Sequence, residues 1–250
     1  VAEGGEITYT VTLRDADNNP VDAKEAVTVT VTLPDGTTTD VEIGADSSSN
    51  SVTFTVENDI YDIDSVSGSI TGISGGASFE KLEYNGDAQS TGVTDTGSID
   101  TVKVDLSADV LSIAEGVDGD NQPNQITYTA TLSGGVAKND ITVTLANDEV
   151  ITIKAGETSG SVSVNVQGDD VYKDGETIEN SIKEVSEGSA NPQLENLEVA
   201  DNTDVSVTVE DTIDTVTAHL TASETVAEGG EITYTVTLRD ADNNPVDAKE

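Results

Sequence analysis

Ile7-Thr8-Tyr9-Thr10-Val11-Thr12-Leu13 places an apolar side chain at every second position and a threonine between each pair. Successive side chains of an extended strand point to opposite faces, so this period of two means one face buried and one wet. Threonine suits the wet face, because its branched Cβ packs well on a pleated surface while its hydroxyl meets water. The same alternation runs through 27–33, 52–56, 126–132, 141–145, 162–166 and 205–209. Turn signals separate these runs: Asp17-Asn18-Asn19-Pro20, Pro34-Asp35-Gly36, Ser133-Gly134-Gly135 and Ala155-Gly156-Glu157. Many short strands at this spacing, with no helical periodicity of useful length, predict an all-β fold of tandem Ig-like Greek-key β-sandwiches in a linear array.

The opening stretch is also a repeat. Residues 1–25 (VAEGGEITYTVTLRDADNNPVDAKE) return letter for letter at 226–250. The phrase AEG followed by ITYT occurs a third time, as Ala114-Glu115-Gly116 with Ile126 to Thr129. Each long period therefore divides into two related modules of about 110 residues, the size of one sandwich. The expected modules are 1–99, which lacks its first strand, then 100–213, which is complete, and 214–250, the first strands of the next. The chain is expected to be a window on a longer array. The segment DTVTAHLTASET at 214–225 leads into the third copy and has no counterpart before Val1. An unpaired sheet edge is a template for strand addition, so either the edge stays open and the module is weakened, or the 214–225 strand of a neighbouring truncated chain fills it head to tail.

With 49 acidic against 10 basic residues the net charge is −39, which disfavours nucleic acid and anionic membranes and favours cations as partners. No run approaches the roughly 18 apolar residues of a membrane span, so no insertion is expected in this segment. There is no cysteine, hence no disulfide and no thiolate metal site. Aromatic residues are 3% of the chain and tryptophan is absent, so the cores must be built from Val, Ile and Leu. Such thin cores would gain from bound metal.

The carboxylates gather where strands should begin or end. In the first module these are Glu3, then Asp59, preceded by the amide of Asn58 as a further oxygen candidate, with Asp64, then Asp95 and Asp100. In the second they are Glu115, then Asp169-Asp170 with Asp174, then Asp211 and Asp214. Like charges so concentrated are unfavourable unless a cation joins them, and Ca²⁺ takes six to eight oxygens from such a set. The competing reading is a set of solvated acidic loops. Asp15-x-Asp17-x-Asn19 resembles the start of an EF-hand loop, but Pro20 and Ala26 stand where that loop needs Gly and Glu, and it leaves a strand. Asp118-x-Asp120, in an insertion between AEG and ITYT, reads as a surface loop.

No enzymatic constellation is legible. The sole histidine, His219, lies inside an alternating run, and no P-loop, HExxH or nucleophile-elbow pattern is present. Acid pairs carry little weight among 49 carboxylates, and the aromatic platforms that grip sugars are missing.

The order AEG, ITYT, AGETSGSVSV, DDVY and DTIDTV along the chain resembles the extender repeats of large type I secreted RTX adhesins, the LapA-like biofilm adhesins. A looser similarity links it to Calx-β domains. By that similarity Glu115, Asp169, Asp170 and Asp211 correspond to calcium ligands, joined by Asp214, whereas Asn58 replaces one Asp of the pair in the first module. The resemblance implies a spacer on the outside of a bacterial cell: sandwiches in series, rigidified by Ca²⁺, that contact neighbouring repeats and project a binding tip for adhesion. The alternative is an Ig-like module that binds glycan or protein through its loops, which exposed aromatic residues would favour.

Overall fold

A computed structural model of the chain describes residues 1–95, 100–190, 192–201 and 203–249. The module boundary expected after residue 99 abuts 96–99, outside the described residues. The chain forms two compact units. Unit 1 comprises Val1–Val102 with Ala190–Asn196, and unit 2 comprises Lys103–Ser189 with Leu197–Glu250. The described residues form strands and turns without a helix, so none could cross a membrane as a helix.

Unit 1 holds β1 (Glu6–Thr12), β2 (Val27–Thr32), β3 (Thr38–Ile43), β4 (Ser49–Thr55), β5 (Ser65–Gly75) and β6 (Gln89–Gly92). β1 pairs antiparallel with β4, and a second sheet runs in the order β3-β2-β5-β6. The alternation turns directly into burial. Val27, Val29 and Val31 of β2 are buried while the threonines between them are half-exposed. They pack with Val11, Leu13, Val41 and Ile43 into one cluster, which joins the inner faces of both sheets. Ile7, Val56 and Val93 close the end of the sandwich nearest the acidic residues.

Unit 2 holds most of β7 (Thr101–Ala108), then β8 (Ser112–Ala114), β9 (Gln125–Ser133), β10 (Ile141–Leu145), β11 (Val150–Ile153), β12 (Ser159–Asn165), β13 (Glu176–Asn180), β14 (Ile182–Glu187), β15 (Asn196–Val199) and β16 (Val205–Glu210). The sheets run β12-β9-β7-β15, β11-β10-β14 and β13-β16-β8. Ile141, Val143, Leu145, Ile151 and Ile153 are fully buried, as are Val104, Ile126 and Tyr128 of the β12-β9-β7-β15 sheet. The two units share a β-bulge at one place in the pattern, between Thr30 and Val31 and between Thr144 and Leu145.

After β16 the chain forms a two-stranded hairpin of β17 (Thr217–Ala222) and β18 (Tyr234–Arg239). β18 repeats the sequence of β1, yet Tyr234 and Val236 are mostly exposed where Val11 is buried. Burial thus follows from the surrounding sheets, since identical residues take both environments.

Removing a fully buried side chain removes its transfer energy and leaves a cavity. Ile153→Ala should therefore cost about 2–5 kcal/mol of unit 2 stability in chemical denaturation, against well under 1 kcal/mol for Thr152→Ala on the outer face.

Candidate metal centre

Strand pairing builds the acidic clusters. Ala2 bridges Thr94 in parallel, and Ala114 pairs in parallel with Glu210 at the end of the β8–β16 ladder. Parallel neighbours advance together, so the next residue on each side is an acid: Glu3 beside Asp95, and Glu115 beside Asp211. The Glu3 N–H donates to Thr94 O and the Glu115 N–H to Glu210 O, each at 3.0 Å. The following glycine then ties this corner to a third strand. Gly4 N–H donates to Val56 O at 2.9 Å, and Gly116 N–H to Gln167 O at 2.9 Å. Both glycines have positive φ, +71° and +89°, and a Cβ on Gly116 would fall 2.8 Å from Asp169 Cβ. The positive φ calls for glycine at both positions, and at Gly116 the close approach of Asp169 leaves no room for a side chain as well.

In unit 1, carboxylate oxygens of Glu3, Asp95 and Glu195 lie within 4.8 Å of one another. Glu3 is 4% exposed, and its Oε1 and the Oε1 of Glu195 are buried without a hydrogen-bond partner. Glu195 Oε2 accepts from the Asp100 N–H at 2.7 Å, and the Asn58 amide donates to Asp100 Oδ2 at 2.8 Å. Burial, and then the charges of Glu195, Asp95, Asp59 and Asp100, push the Glu3 carboxyl above its ordinary value. Burial likewise raises Glu195, with Asp95, Asp100 and Asp59 adding to it against the opposing Asp100 N–H. Asp59 Oδ1 also caps its own turn by accepting from the Tyr61 N–H at 2.7 Å. Asp64, at the head of β5, offers a backbone carbonyl to Val93.

In unit 2, Glu115, Asp174 and Asp211 come within the same 4.8 Å. Asp169 accepts from the Thr212 hydroxyl, and Asp170 from the Tyr172 N–H at 2.7 Å. Asp214 is raised by partial desolvation, by the charges of Asp169 and Glu115, and by a hydrogen bond with Asp169. Asp174 is raised by partial desolvation and by Asp170, Glu115 and Asp211, with Lys249 opposing. All six acids expected in this module therefore meet at one corner. They are better supplied with donors than those of unit 1. Gln167 Nε2 reaches Glu115 Oε2 at 2.8 Å and Asp174 Oδ1 at 3.0 Å, and the Thr212 N–H reaches Glu115 Oε1 at 3.0 Å.

The donor set suits a hard cation. Every candidate ligand is an oxygen, cysteine is absent, and the one histidine is exposed on β17. Zinc prefers nitrogen and sulfur, whereas calcium is held by carboxylates and carbonyls. Glu3, Asp95 and Glu195, with Asp59 and Asp100 beside them, fit such an ion in unit 1. Glu115, Asp174 and Asp211, with Asp169, Asp170 and Asp214, fit one in unit 2.

Glu195 escapes sequence reasoning. It lies about a hundred residues beyond the other unit 1 acids, in the segment Ala190–Asn196. That segment is held by Asp62 N–H to Gln193 O and by Glu195 N–H to Ile60 O, each at 3.0 Å. A single Glu in an irregular stretch gives no periodic or spacing signal. The acids of Asp15-Ala16-Asp17-Asn18-Asn19-Pro20 have another role. Asp15 Oδ1 accepts from the N–H groups of Asp17 and Asn19, and Asp240 repeats the cap on Asn244. Asp118-Gly119-Asp120-Asn121-Gln122-Pro123 closes in the same way, with Asp118 Oδ1 bonded to the N–H groups of Asp120 and Gln122. D-x-D-N-x-P is thus a loop-closing motif in which the first Asp caps its own turn.

The raised carboxyls fix the sign of a pH effect. Above 4.5, their ordinary value, Glu3 and Glu195 hold protons better in the folded chain than in the unfolded one. Without metal, stability should therefore fall as pH rises through their folded pKa values and recover as pH drops toward 4.5. The chelated protein should melt higher near pH ~5 than near pH ~7, and replacing both residues by Gln should remove part of that difference. An unchanged pH dependence in the double variant would contradict the assignment.

A family model described as the LapA domain matches residues 1–96 and 100–212. No curated protein sequence matches the chain. Among solved structures, CBD12 from CALX1.2 aligns at 9% identity with a TM-score of 0.32, covering 83% of this chain and 95% of that one. A 1.5-MDa bacterial ice-binding adhesin aligns at 16% identity and a TM-score of 0.28, over 86% of this chain and 62% of that one. A Ca²⁺-stabilised adhesin of an Antarctic bacterium aligns at 19% and 0.22, over 86% and 47%. The two matched stretches each end within an acidic closing segment and together cover most of the sequence: the chain belongs to the LapA domain family.

Proposed function

We propose that the chain is a calcium-stabilised extender segment of a bacterial cell-surface adhesin, in which β-sandwich repeats act as spacer rather than catalyst. The observation that carries this reading is the buried, unpartnered Oε1 of Glu3 and of Glu195, two acids that meet in the corner built by the first AEG turn. An uncompensated buried carboxylate costs on the order of several kcal/mol, so a fold that keeps two together stores instability which a divalent cation relieves. Membership of the LapA domain family and the exact recurrence of residues 1–25 at 226–250 support a repetitive surface role. Type I secretion, biofilm attachment and an extracellular location belong to the same reading.

Calcium would act here through this chain's own residues. Glu3 fixes the entry to β1, Asp95 the end of the closing segment, and Glu195 the Ala190–Asn196 segment. Held to one ion, the three would stiffen unit 1 at a corner where they otherwise repel. Extracellular modules bind calcium with dissociation constants of about 10⁻⁴–10⁻³ M, so the protein would be loose before export and firm outside the cell.

Millimolar calcium should raise the melting temperature, since binding to the folded state alone adds about 2.7 kcal/mol at a hundredfold excess over Kd. Glu115→Gln should lower the gain in unit 2, and Glu195→Gln the gain in unit 1. Without calcium, Glu195→Gln should stabilise, because it removes a repelling charge. Equal melting in EDTA and in calcium would overturn the metal assignment.

A further inference from the structure

We propose that Asn85 is a site of uncatalysed, irreversible modification, at which the side-chain amide closes onto the backbone nitrogen of Gly86, expels ammonia and opens with water to isoaspartate or aspartate. Asn85-Gly86 is the only Asn-Gly pair in the sequence. It lies exposed in the irregular segment between β5 and β6.

Three features of the geometry meet at this pair. The Asp87 N–H donates to Asn85 Oδ1 at 2.9 Å, an Asx turn that folds the side-chain amide back over its own backbone. The same N–H therefore stands at the oxygen on which negative charge develops when a nucleophile adds to Cγ, as an oxyanion-hole donor does. The Gly86 nitrogen is that nucleophile. Its N–H makes no hydrogen bond among the described residues, and glycine has no side chain to shield it.

The rest of the molecule supplies the comparisons. Asn147 forms the same turn, with the Glu149 N–H donating to its Oδ1 at 3.3 Å. Its neighbour Asp148, however, carries a side chain and donates its own N–H to Leu145 O at 3.0 Å. Asp35 and Asp118 each precede a glycine and accept from the N–H two residues on, at 2.9 Å. Their carboxylates repel a nucleophile and have no amine to expel, and the Gly36 N–H is bonded to Leu33 O at 2.9 Å. Asn50 and Asn180 accept on Oδ1 from the next N–H instead, that of Ser51 and of Ser181. Among the described residues Asn85 alone combines a neutral amide, a donor on its oxygen and an unengaged glycine nitrogen.

The step balances without redox chemistry. Hydroxide removes the Gly86 amide proton, the nitrogen pair forms a bond to Cγ, and the C=O pair moves onto Oδ1. The oxyanion collapses, the Cγ–Nδ2 bond breaks, and Nδ2 leaves as ammonia with a proton from water. Water then adds to either carbonyl of the cyclic imide and breaks one of its C–N bonds. Opening at the backbone carbonyl leaves isoaspartate, whose main chain runs through Cγ. Either product adds a negative charge close in sequence to Glu83 and Asp87. The mark accumulates with the age of the chain, in the segment whose Phe79 and Leu82 pack on the unit 1 core.

The test incubates the full chain at neutral and mildly alkaline pH, in ordinary and in heavy-oxygen water, and maps the product by mass spectrometry. Residue 85 should lose its amide nitrogen, take up one oxygen from water and appear in part as isoaspartate, at a rate that rises with hydroxide. If the turn is poised for the reaction, the folded chain should react no more slowly than the chain unfolded in urea. Gly86→Ala should suppress the reaction and keep the fold. Gly86 does not have a positive φ, and a Cβ there would meet only ordinary contacts, 3.4 Å from Ile70 O and 3.7 Å from Tyr84 Cε2. An amide that survives prolonged alkaline incubation, a folded chain slower than the unfolded one, or equal loss in Gly86→Ala would overturn the proposal.

Discussion

A short parallel contact governs the chemistry of this protein. Where Ala2 meets Thr94, and Ala114 meets Glu210, two strands run side by side and the next residue on each is an acid. The backbone bond that sets this register, from the N–H of Glu3 or Glu115, holds the glutamate with its side chain almost wholly buried. The AEG glycine then turns the chain through a conformation open to few other residues and binds the corner to the strand end that carries the remaining acids. Carboxylates forced together in this way cannot all be solvated, and the fold is left with an electrostatic cost that protons, cations or hydrogen-bond donors must offset.

The two units answer that cost differently. Unit 2 supplies neutral donors: the Gln167 amide and the Thr212 N–H satisfy both oxygens of Glu115, and Lys249 lies near Asp174. Unit 1 has Val56 where the backbone geometry of unit 2 places Gln167, and Asn58 in place of an Asp. Glu195 brings back a negative charge and leaves one of its own oxygens unpaired. The unit that looks poorer in ligands from its local sequence is thus the one that keeps unpartnered buried carboxylate oxygens.

The fold was legible because it rests on local periodicity. Val27, Val29 and Val31 alternate with threonine in the sequence, and they alternate between buried and half-exposed in the sheet. The acidic corner was legible in part, since Glu115 and Asp211 directly follow strands and Asp169, Asp170, Asp174 and Asp214 lie in the loops between them. Glu195 was not, because its place depends on backbone bonds from Ile60 and Asp62 to a segment more than a hundred residues away. The D-x-D-N-x-P loops were half legible. Their acids were visible in the sequence, but only the geometry shows that Asp15, Asp118 and Asp240 spend their oxygens on their own backbone.

On the proposed function, the buried carboxylates of unit 1 are held for a divalent cation. The most direct test of that reading is a carbon-detected NMR titration of the Glu3 and Glu195 side-chain carboxyls, with calcium and with chelator. Both groups should titrate above 4.5 in chelator and shift to lower pH when calcium is added. Two ordinary glutamate titrations that calcium leaves unmoved would contradict it.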